Sequence, residues 1–543
     1  MRRWACLATK RDRAKANRLG VAKATQSVRR LTAEKVGLTV SSRVVFAGWA
    51  IYAAAMLWLA ATLNIWIDEA YSMRTTSTTL AHTVVSAIKF EQNAPFYFVV
   101  LWAWRHVSSS LVWARLLSVS CAAAALAVVA GILRRCFPQL DARWLLLTLA
   151  LEPIFVWCAL NVRMYVLLIL LVAILTRIVV VLVADDRRPT ANQTLALALV
   201  AIAGTYTAYG FGILLAGFAC ALAVLRRRRA LTAYAVAMVP ATIAFLPLLL
   251  ALRRTVSAYA QAYVFHPSFV EVLKSYASTV TLNLIGLDRL LALARMPVHN
   301  GMMGIALVAA ICAGLTLTRG RLAPGAMVCA LAVAASILLL GIVAVAFSVE
   351  FFGNYLAFLI PPAFVTIAGL LAAMPLSLRS RSVAIWCAVA LSVNATAFAA
   401  RYRADTNVGD WRRVAAYVER HERPGDPVVL FDAEAELPLR FYYRGPNRLV
   451  PIPSQASDVT FDAHDFVLQR ARQIDVALQE AGMAGARNLW LVEADACSYG
   501  GVTFGCDVLE RWVATRYDVA ERANFLGVTV RRLSLRRPAK APL

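Results

Sequence analysis

The chain has 543 residues, 60% of them hydrophobic and only 16% charged, where a soluble globular protein carries roughly 25% charge. That shortfall excludes a soluble enzyme, and a length that would hold several soluble domains at about 150 residues each is mostly taken up by lipid-dissolved segments instead. The formal net charge of +25 is uneven: residues 1–43 carry 12 basic against 2 acidic side chains, residues 44–400 carry 24 against 10, and residues 401–543 carry 20 against 19.

The three regions read as a basic tail, an apolar block poor in carboxylates and a water-soluble part. Nucleic acid would suit so basic a chain. The cations, however, stand in short clusters between apolar runs, as cytoplasmic loops of membrane proteins require, and no basic face with interleaved aromatics occurs, so nucleic acid is not an expected partner. About forty polar residues precede the first apolar run, so the N-terminus reads as a retained tail and not as a cleavable signal.

Apolar runs near the roughly 20 residues a bilayer demands occur at 44–63, 111–133, 144–162, 164–184, 194–208, 210–225, 231–252, 301–318, 325–347, 356–374 and 383–400. Eleven spans are therefore expected. With a cytoplasmic tail, alternation places Arg134-Arg135, Asp185 to Arg188, Arg226 to Arg229, Arg319 to Arg321 and Arg379 to Arg381 inside, in agreement with the positive-inside rule. This parity requires that the apolar piece from Pro95 to Val107, too short to cross, be interfacial or re-entrant. The outer face then receives residues 64–110, the Arg163 junction, the turn from Tyr206 to Phe211, residues 253–300, residues 350–355 and everything after 400. Asp68, Glu69, Glu91, Glu271, Asp288 and Glu350 fall on that face and Glu152 falls within a span, which marks the outer face as the place for a site.

Residues 401–543 alternate helix-like and strand-like stretches. Asp410 to His421 is amphipathic, Val428 to Phe431 reads as a buried strand, Asp465 to Ala481 as a helix, and Leu489 to Val492 and Val528 to Leu533 as strands. A small α/β domain fits. It holds no Gly-rich phosphate loop and no nucleophile elbow, which suits a lid or recognition domain without chemistry of its own. Cys497 and Cys506 stand nine residues apart here, a spacing that closes a disulfide loop if this part is exported; the remaining eight cysteines read as small core residues, and no zinc spacing occurs.

The residues that stand out for chemistry follow in chain order. Trp66-Ile67-Asp68-Glu69 sets two acids just outside the first span, where ionisable groups are costly unless functional or paired. Then come Glu91-Gln92-Asn93-Ala94-Pro95-Phe96-Tyr97, Trp113-Ala114-Arg115-Leu116-Leu117-Ser118 and Asn161-Val162-Arg163-Met164-Tyr165. Arg163 lies between two apolar runs on the outer side, against the charge rule, so it either snorkels or binds an anion such as a phosphate.

In this order these segments resemble the GT-C superfamily of polytopic glycosyltransferases, in the group of protein O-mannosyltransferases, aminoarabinose lipid A transferases and rhizobial lipopolysaccharide transferases. Asp68-Glu69 matches the acidic pair of the first outer loop. Asn93 to Tyr97 matches a His-Pro-Pro-Leu-Tyr-like segment, Arg115 to Ser118 an Arg-Leu-Pro-Ser-like segment, and Arg163-Met164-Tyr165 an Arg-Met-Tyr element, while Tyr206 to Gly210 resembles a further family turn. The sequence departs from the pattern where Asn161 or Val162 replaces an acid, where Asn93-Ala94 replaces His-Pro, and where Asn354-Tyr355 replaces Arg-Tyr.

The resemblance implies a fold of about eleven transmembrane helices (44–400) with an extracytoplasmic α/β domain (401–543), in a bacterial-type cytoplasmic membrane. The implied reaction moves a sugar from a polyprenyl-phosphate carrier to a hydroxyl of a lipid, glycan or protein acceptor on the outer face, with inversion. A hydroxyl needs a base to take its proton, which is assigned to Asp68 with Glu69 beside it. A departing phosphate needs a fixed cation, assigned to Arg163 with Lys89 and Arg74 behind it. Glu91, Asn93, Tyr97, Arg115, Tyr165, Asn354 and Tyr355 are the expected substrate contacts. No cofactor is called for, and a divalent metal is left open by the missing acid. The rival classes are a lipid-linked-sugar flippase, which would use intramembrane charges such as Glu152 and internal repeats, and a non-catalytic assembly subunit; no repeat relates the two halves.

Overall fold

The computed structural model describes residues 42–185, 189–262, 270, 272, 321–347, 353–402, 410–431, 435–453, 466–494, 497–499 and 502–536. The basic tail before Ser42, the apolar run at 301–318, and Glu271, Asp288 and Glu350 lie outside these residues, as does the side chain of Asn354.

The membrane part contains α1 (Ser42–Thr62), α2 (Ile67–Thr75), α3 (Leu80–Lys89), α4 (Phe96–Arg105), α5 (Leu111–Cys136), α6 (Ala142–Ala150), α7 (Pro153–Leu160), α8 (Tyr165–Asp185), α9 (Ala191–Thr205), α10 (Phe211–Val224), α11 (Arg228–Ala262) and α12 (Pro324–Phe347). A 3₁₀ helix (Gly353–Leu359) then leads into α13 (Ile360–Ala373) and α14 (Leu376–Arg401). Among the described residues seven helical stretches are long and apolar enough to cross a membrane: α1, α5, α8, α11, α12, α14 and the stretch from Tyr355 through α13. The expected run at 144–162 is a broken pair, α6 and α7, bent by 65°. The runs at 194–208 and 210–225 form α9 and α10, of 15 and 14 residues, shorter than the roughly 20 a full crossing takes.

The break between α6 and α7 reassigns Glu152. Its carboxylate accepts from the amides of Ile154 and Phe155 at 3.1 and 2.6 Å, so it caps the α7 N-terminus. The expectation of a mid-span acid suited to transport is corrected: the local bend gives this carboxylate two backbone donors that an intact helix would have kept for itself. α4 has ten residues, about 15 Å at 1.5 Å per residue, half of a hydrocarbon core. Its first turn is tied to the end of α9, the Phe96 amide donating to the Tyr206 carbonyl at 2.8 Å.

Where helices approach most closely, small residues permit it. A Cβ at Gly217 of α10 would run into Ser336 Oγ and the Ala332 carbonyl of α12, and one at Gly369 of α13 would meet the Ala326 methyl of the same helix. α12 is thus held on two sides by glycines of its neighbours.

The C-terminal domain is a five-stranded sheet of order β2-β1-β3-β7-β6, with β1 (Val428–Phe431), β2 (Leu449–Ile452), β3 (Asn488–Ala494), β6 (Tyr517–Phe525) and β7 (Val528–Leu535). β1 runs parallel to β2 and β3, and β7 is antiparallel to β3 and β6. A separate two-stranded ribbon joins β4 (Ser498–Tyr499) to β5 (Val502–Thr503). Val428 and Leu430 face a core shared with α15 (Trp411–His421) and α16 (Glu436–Tyr442), while Val429 and Phe431 face one shared with α17 (Ala471–Glu480) and α18 (Cys506–Arg516). Cover on both faces explains the unbroken Val-Val-Leu-Phe run. The sequence reading finds β1, β3, β7, α15 and α17; it passes over β2 and β6, edge strands that need only half an apolar pattern, and the seven-residue α16.

Cys497 and Cys506 lie with their Cα atoms 6.0 Å apart, within bridging range, and their sulfurs are at bonding distance. Thiol labelling under non-reducing denaturation is expected to leave both unlabelled. A bridge across so short a loop contributes at most about 3 kcal/mol in the loop-entropy model, so the variant with both replaced by Ser is expected to fold with a lower melting temperature.

Candidate active site

The turn from α1 into α2 is organised around one ion pair. Glu69 is the third residue of α2, and its Oε2 accepts the Trp66 amide at 3.0 Å, a carboxylate closing the helix N-terminus. Arg115, from α5, uses all five guanidinium donors: Nε to Glu69 Oε1 at 3.0 Å, Nη1 to the carbonyls of Ala60 at 3.1 Å and Leu63 at 2.9 Å, and Nη2 to the Asn64 carbonyl at 2.9 Å and Glu69 Oε2 at 2.7 Å. The Val162 amide adds a fourth bond to Glu69, at 3.1 Å. Both residues are 1% exposed.

This geometry corrects two expected roles. Arg115 has no donor left for a substrate, because it fills the orphan carbonyls at the end of α1. Glu69 is sealed inside the protein with its acceptor sites occupied. Ser118 stands three residues beyond Arg115, on the same face of α5, and donates to the Asn161 carbonyl at 2.7 Å. One helix turn of α5 therefore sets the positions of both the 63–69 turn and the 161–163 turn relative to each other.

Asp68 escapes that enclosure. Its side chain is 30% exposed, and Oδ2 lies 3.7 Å from Nε of Arg163, whose own side chain is 8% exposed. Arg163 Nη1 donates to Glu91 Oε2 at 2.5 Å, to Ser72 Oγ at 3.3 Å and, more loosely, to the Asp68 carbonyl at 3.5 Å. Its Nε is buried with no hydrogen-bond partner. Of the two alternatives for this cation, snorkelling is excluded by the geometry: Arg163 is turned into the protein between two carboxylates. Burial works against its charge, but Asp68 and Glu91 together raise its pKa above the ordinary value.

Glu91 is delivered by the loop between α3 and α4. Asn93 Nδ2 donates to the Glu91 carbonyl at 2.6 Å, its amide donates to the Ala87 carbonyl at 2.9 Å, and Gln92 between them takes a left-handed φ of 53°. Asn93 thus shapes the loop. Thr75 Oγ1 donates to Glu91 Oε1 at 3.0 Å. Burial raises the Glu91 pKa above the usual carboxylate range, and the attraction of Arg163 offsets this only in part. Asp68, Glu91 and Arg163 together carry one net negative charge when all three are ionised.

Four rings form a row beside these residues: Trp66 to Trp157 at 5.5 Å, Trp157 to Tyr165 at 5.5 Å, and Tyr165 to Tyr355 at 6.4 Å between centroids. Tyr165 is buried, and Tyr355 is 40% exposed. Tyr97 does not join them. It is 1% exposed and packs edge-on against Phe98 in the hydrophobic core of the membrane part. Arg74 stacks over Phe90 at 4.5 Å and Tyr71 at 5.5 Å, and Lys89 is exposed at the end of α3. Among the described residues no three His, Cys, Asp or Glu side chains converge. A divalent ion at Asp68 and Glu91 would meet the Arg163 guanidinium that contacts both, so these residues do not fit a metal.

No family profile and no curated protein matches this sequence. Solved structures do. The apo crystal structure of ArnT from Cupriavidus metallidurans superposes with a TM-score of 0.54 at 15% identity, covering 91% of this chain and 98% of that one, and the same protein bound to undecaprenyl phosphate gives the same figures. The oligosaccharyltransferase AglB from Archaeoglobus fulgidus, in complex with an inhibitory peptide and a dolichol-phosphate, gives a TM-score of 0.43 at 12% identity over 88% of this chain and 73% of its own. Over nearly its full length, a helical membrane part followed by a small C-terminal sheet domain, the chain therefore has the fold of the ArnT crystal structure.

Proposed function

We propose that this protein transfers a sugar from a polyprenyl-phosphate carrier to an acceptor hydroxyl on the outer face of the cytoplasmic membrane, with inversion at the anomeric carbon and Asp68 as general base. One observation carries the assignment: of two adjacent acids, Glu69 is consumed by Arg115, while Asp68 is part-exposed and set against a buried guanidinium. A base must be free to approach the attacking hydroxyl, and only Asp68 of the pair is. Arg163 supplies positive charge where the carrier phosphate gathers negative charge as the glycosidic bond breaks. Tyr355, exposed at the end of the aromatic row, is the described ring best placed to meet a bound sugar. Undecaprenyl phosphate, bound in the second ArnT structure, is the natural probe.

The test is a transfer assay on the purified protein in nanodiscs with radiolabelled lipid-linked sugars extracted from the cells that make it. Label passing to a covalent product supports the enzyme; label crossing the bilayer of proteoliposomes without a product supports a flippase and overturns this reading. Comparing the lipids and glycans of a deletion strain with those of wild type then identifies the acceptor.

Arg163 already serves two carboxylates, so a bound phosphate competes with Glu91 for its charge. Arg163→Ala is expected to weaken undecaprenyl phosphate binding and rate together, because the contact exists in the ground state and strengthens as charge develops. The carboxyl of Glu91 has a raised pKa and takes up a proton as pH falls. Once neutral it releases its claim on Arg163, so affinity should rise on acidification. Glu91→Gln should bind tighter than wild type at neutral pH and lose that part of the pH dependence, the difference between the two proteins cancelling the phosphate's own titration. Weaker binding by Glu91→Gln at every pH would show instead that Glu91 holds the donor directly.

The sidedness follows from charge. We place the N-terminus in the cytoplasm and the C-terminal domain outside. A phosphatase fused after Arg403 is expected to be active and one at Arg228 inactive; the reverse pattern would move the site to the cytoplasmic face.

A further inference from the structure

The C-terminal domain meets the membrane part at the α1–α2 turn. Helix α16 lies against α2, and Leu437, Phe441 and Tyr442 pack onto the hydrophobic core of the membrane part. The buried Ile65 amide donates to the Tyr442 phenol oxygen at 2.8 Å, across 377 residues of sequence. Asn64 Nδ2 reaches toward Asp410 Oδ1 at 3.5 Å, just before α15, and Arg412 of α15 lies over the Tyr442 ring at 5.3 Å. Four other backbone groups of the turn are held from within: Arg115 takes the Leu63 and Asn64 carbonyls, Glu69 takes the Trp66 amide, and the Trp66 carbonyl accepts from Ala70. Ile65 takes its partner from the other domain.

We propose that Tyr442 is a positioning residue for Asp68, its hydroxyl fixing the entry of α2 so that the C-terminal domain holds the catalytic acid in place. This rests on the reading of Asp68 as the base. The physical reason is direct. Ile65 is 0% exposed, and a buried amide without a partner carries its full desolvation cost, so the turn relaxes toward some other acceptor once the hydroxyl is gone. Asp68 follows Ile65 by three residues at the start of α2, where such a shift moves its carboxylate. A misplacement of about 1 Å costs roughly 100-fold in rate. The soluble domain, which from its sequence reads as a lid or recognition module, by this geometry braces the turn that leads into Asp68.

Tyr442→Phe removes the hydroxyl and keeps the ring that packs under Arg412. Tyr417→Phe, which removes a phenol bonded to Glu521 within the same domain, is the control. The full-length protein in nanodiscs, without substrate, is compared by amide hydrogen exchange over residues 65–75. Faster exchange in Tyr442→Phe and not in Tyr417→Phe is expected. Undecaprenyl phosphate should still bind one per chain with unchanged affinity, while single-turnover transfer of the extracted lipid-linked sugars falls roughly 10- to 100-fold. Unchanged exchange would overturn the proposal, as would faster exchange with full transfer. Loss of stoichiometric binding would also overturn it, by showing a general folding defect. A wild-type protein that transfers no sugar defeats the reaction reading alone, since the exchange experiment still decides whether Tyr442 orders α2.

Discussion

Asp68→Asn is expected to lower turnover by roughly 10² to 10⁴ and to leave undecaprenyl phosphate binding in place. Asn keeps the size of the side chain and one oxygen near Arg163, but its amide accepts no proton at neutral pH. The loss therefore falls on the step in which the acceptor hydroxyl is deprotonated. Single-turnover transfer measured beside equilibrium binding separates the two effects. Near-normal transfer by Asp68→Asn would remove the central residue from the mechanism.

Glu69→Gln should act on the fold. The Glu69–Arg115 pair is closed at 2.7 Å with side-chain exposures of 1% and 2%, and removing one partner of such a pair costs about 3–5 kcal/mol because the other charge is left buried alone. Gln also turns an NH₂ group toward donors, since every partner of Glu69 is an N–H of Trp66, Arg115 or Val162. Thermal unfolding in detergent is expected to show a large drop for Glu69→Gln and almost none for Asp68→Asn. Equal stability of the two variants would mean that the pair does not organise the turn. From sequence, Glu69 is simply the milder of two catalytic acids; the structure seals Glu69 into the architecture of the turn and leaves Asp68 part-exposed.

The departures from the family pattern also acquire a physical meaning. Asn161 stands near where an acid is expected, and its carbonyl is used to anchor the turn to Ser118 while its amide donates to the Trp157 carbonyl at 2.7 Å. Neither bond needs a carboxylate. A second negative charge beside Arg163, next to that of Asp68, comes from Glu91, supplied by a loop whose shape depends on Asn93, a residue that here replaces part of a His-Pro pair.

Much of this was legible in the order of residues. Apolar runs set the membrane helices because backbone groups in lipid must bond within their own segment, and that demand is local. The Val428 to Phe431 strand was visible for a related reason, being buried on both faces and therefore apolar throughout. The Asp68-Glu69 pair stood out because charge beside lipid is expensive. The rest depended on contacts between residues far apart in the chain: Arg115 on Glu69 at a separation of 46, Arg163 on Glu91 at 72, and Tyr442 on Ile65 at 377. Composition and spacing specify which segments leave water and what chemistry they carry. Which carboxylate is sealed and which stays open is settled only when α5 brings its arginine to one of them, because burial and pairing are properties of the packed neighbourhood and not of the residue.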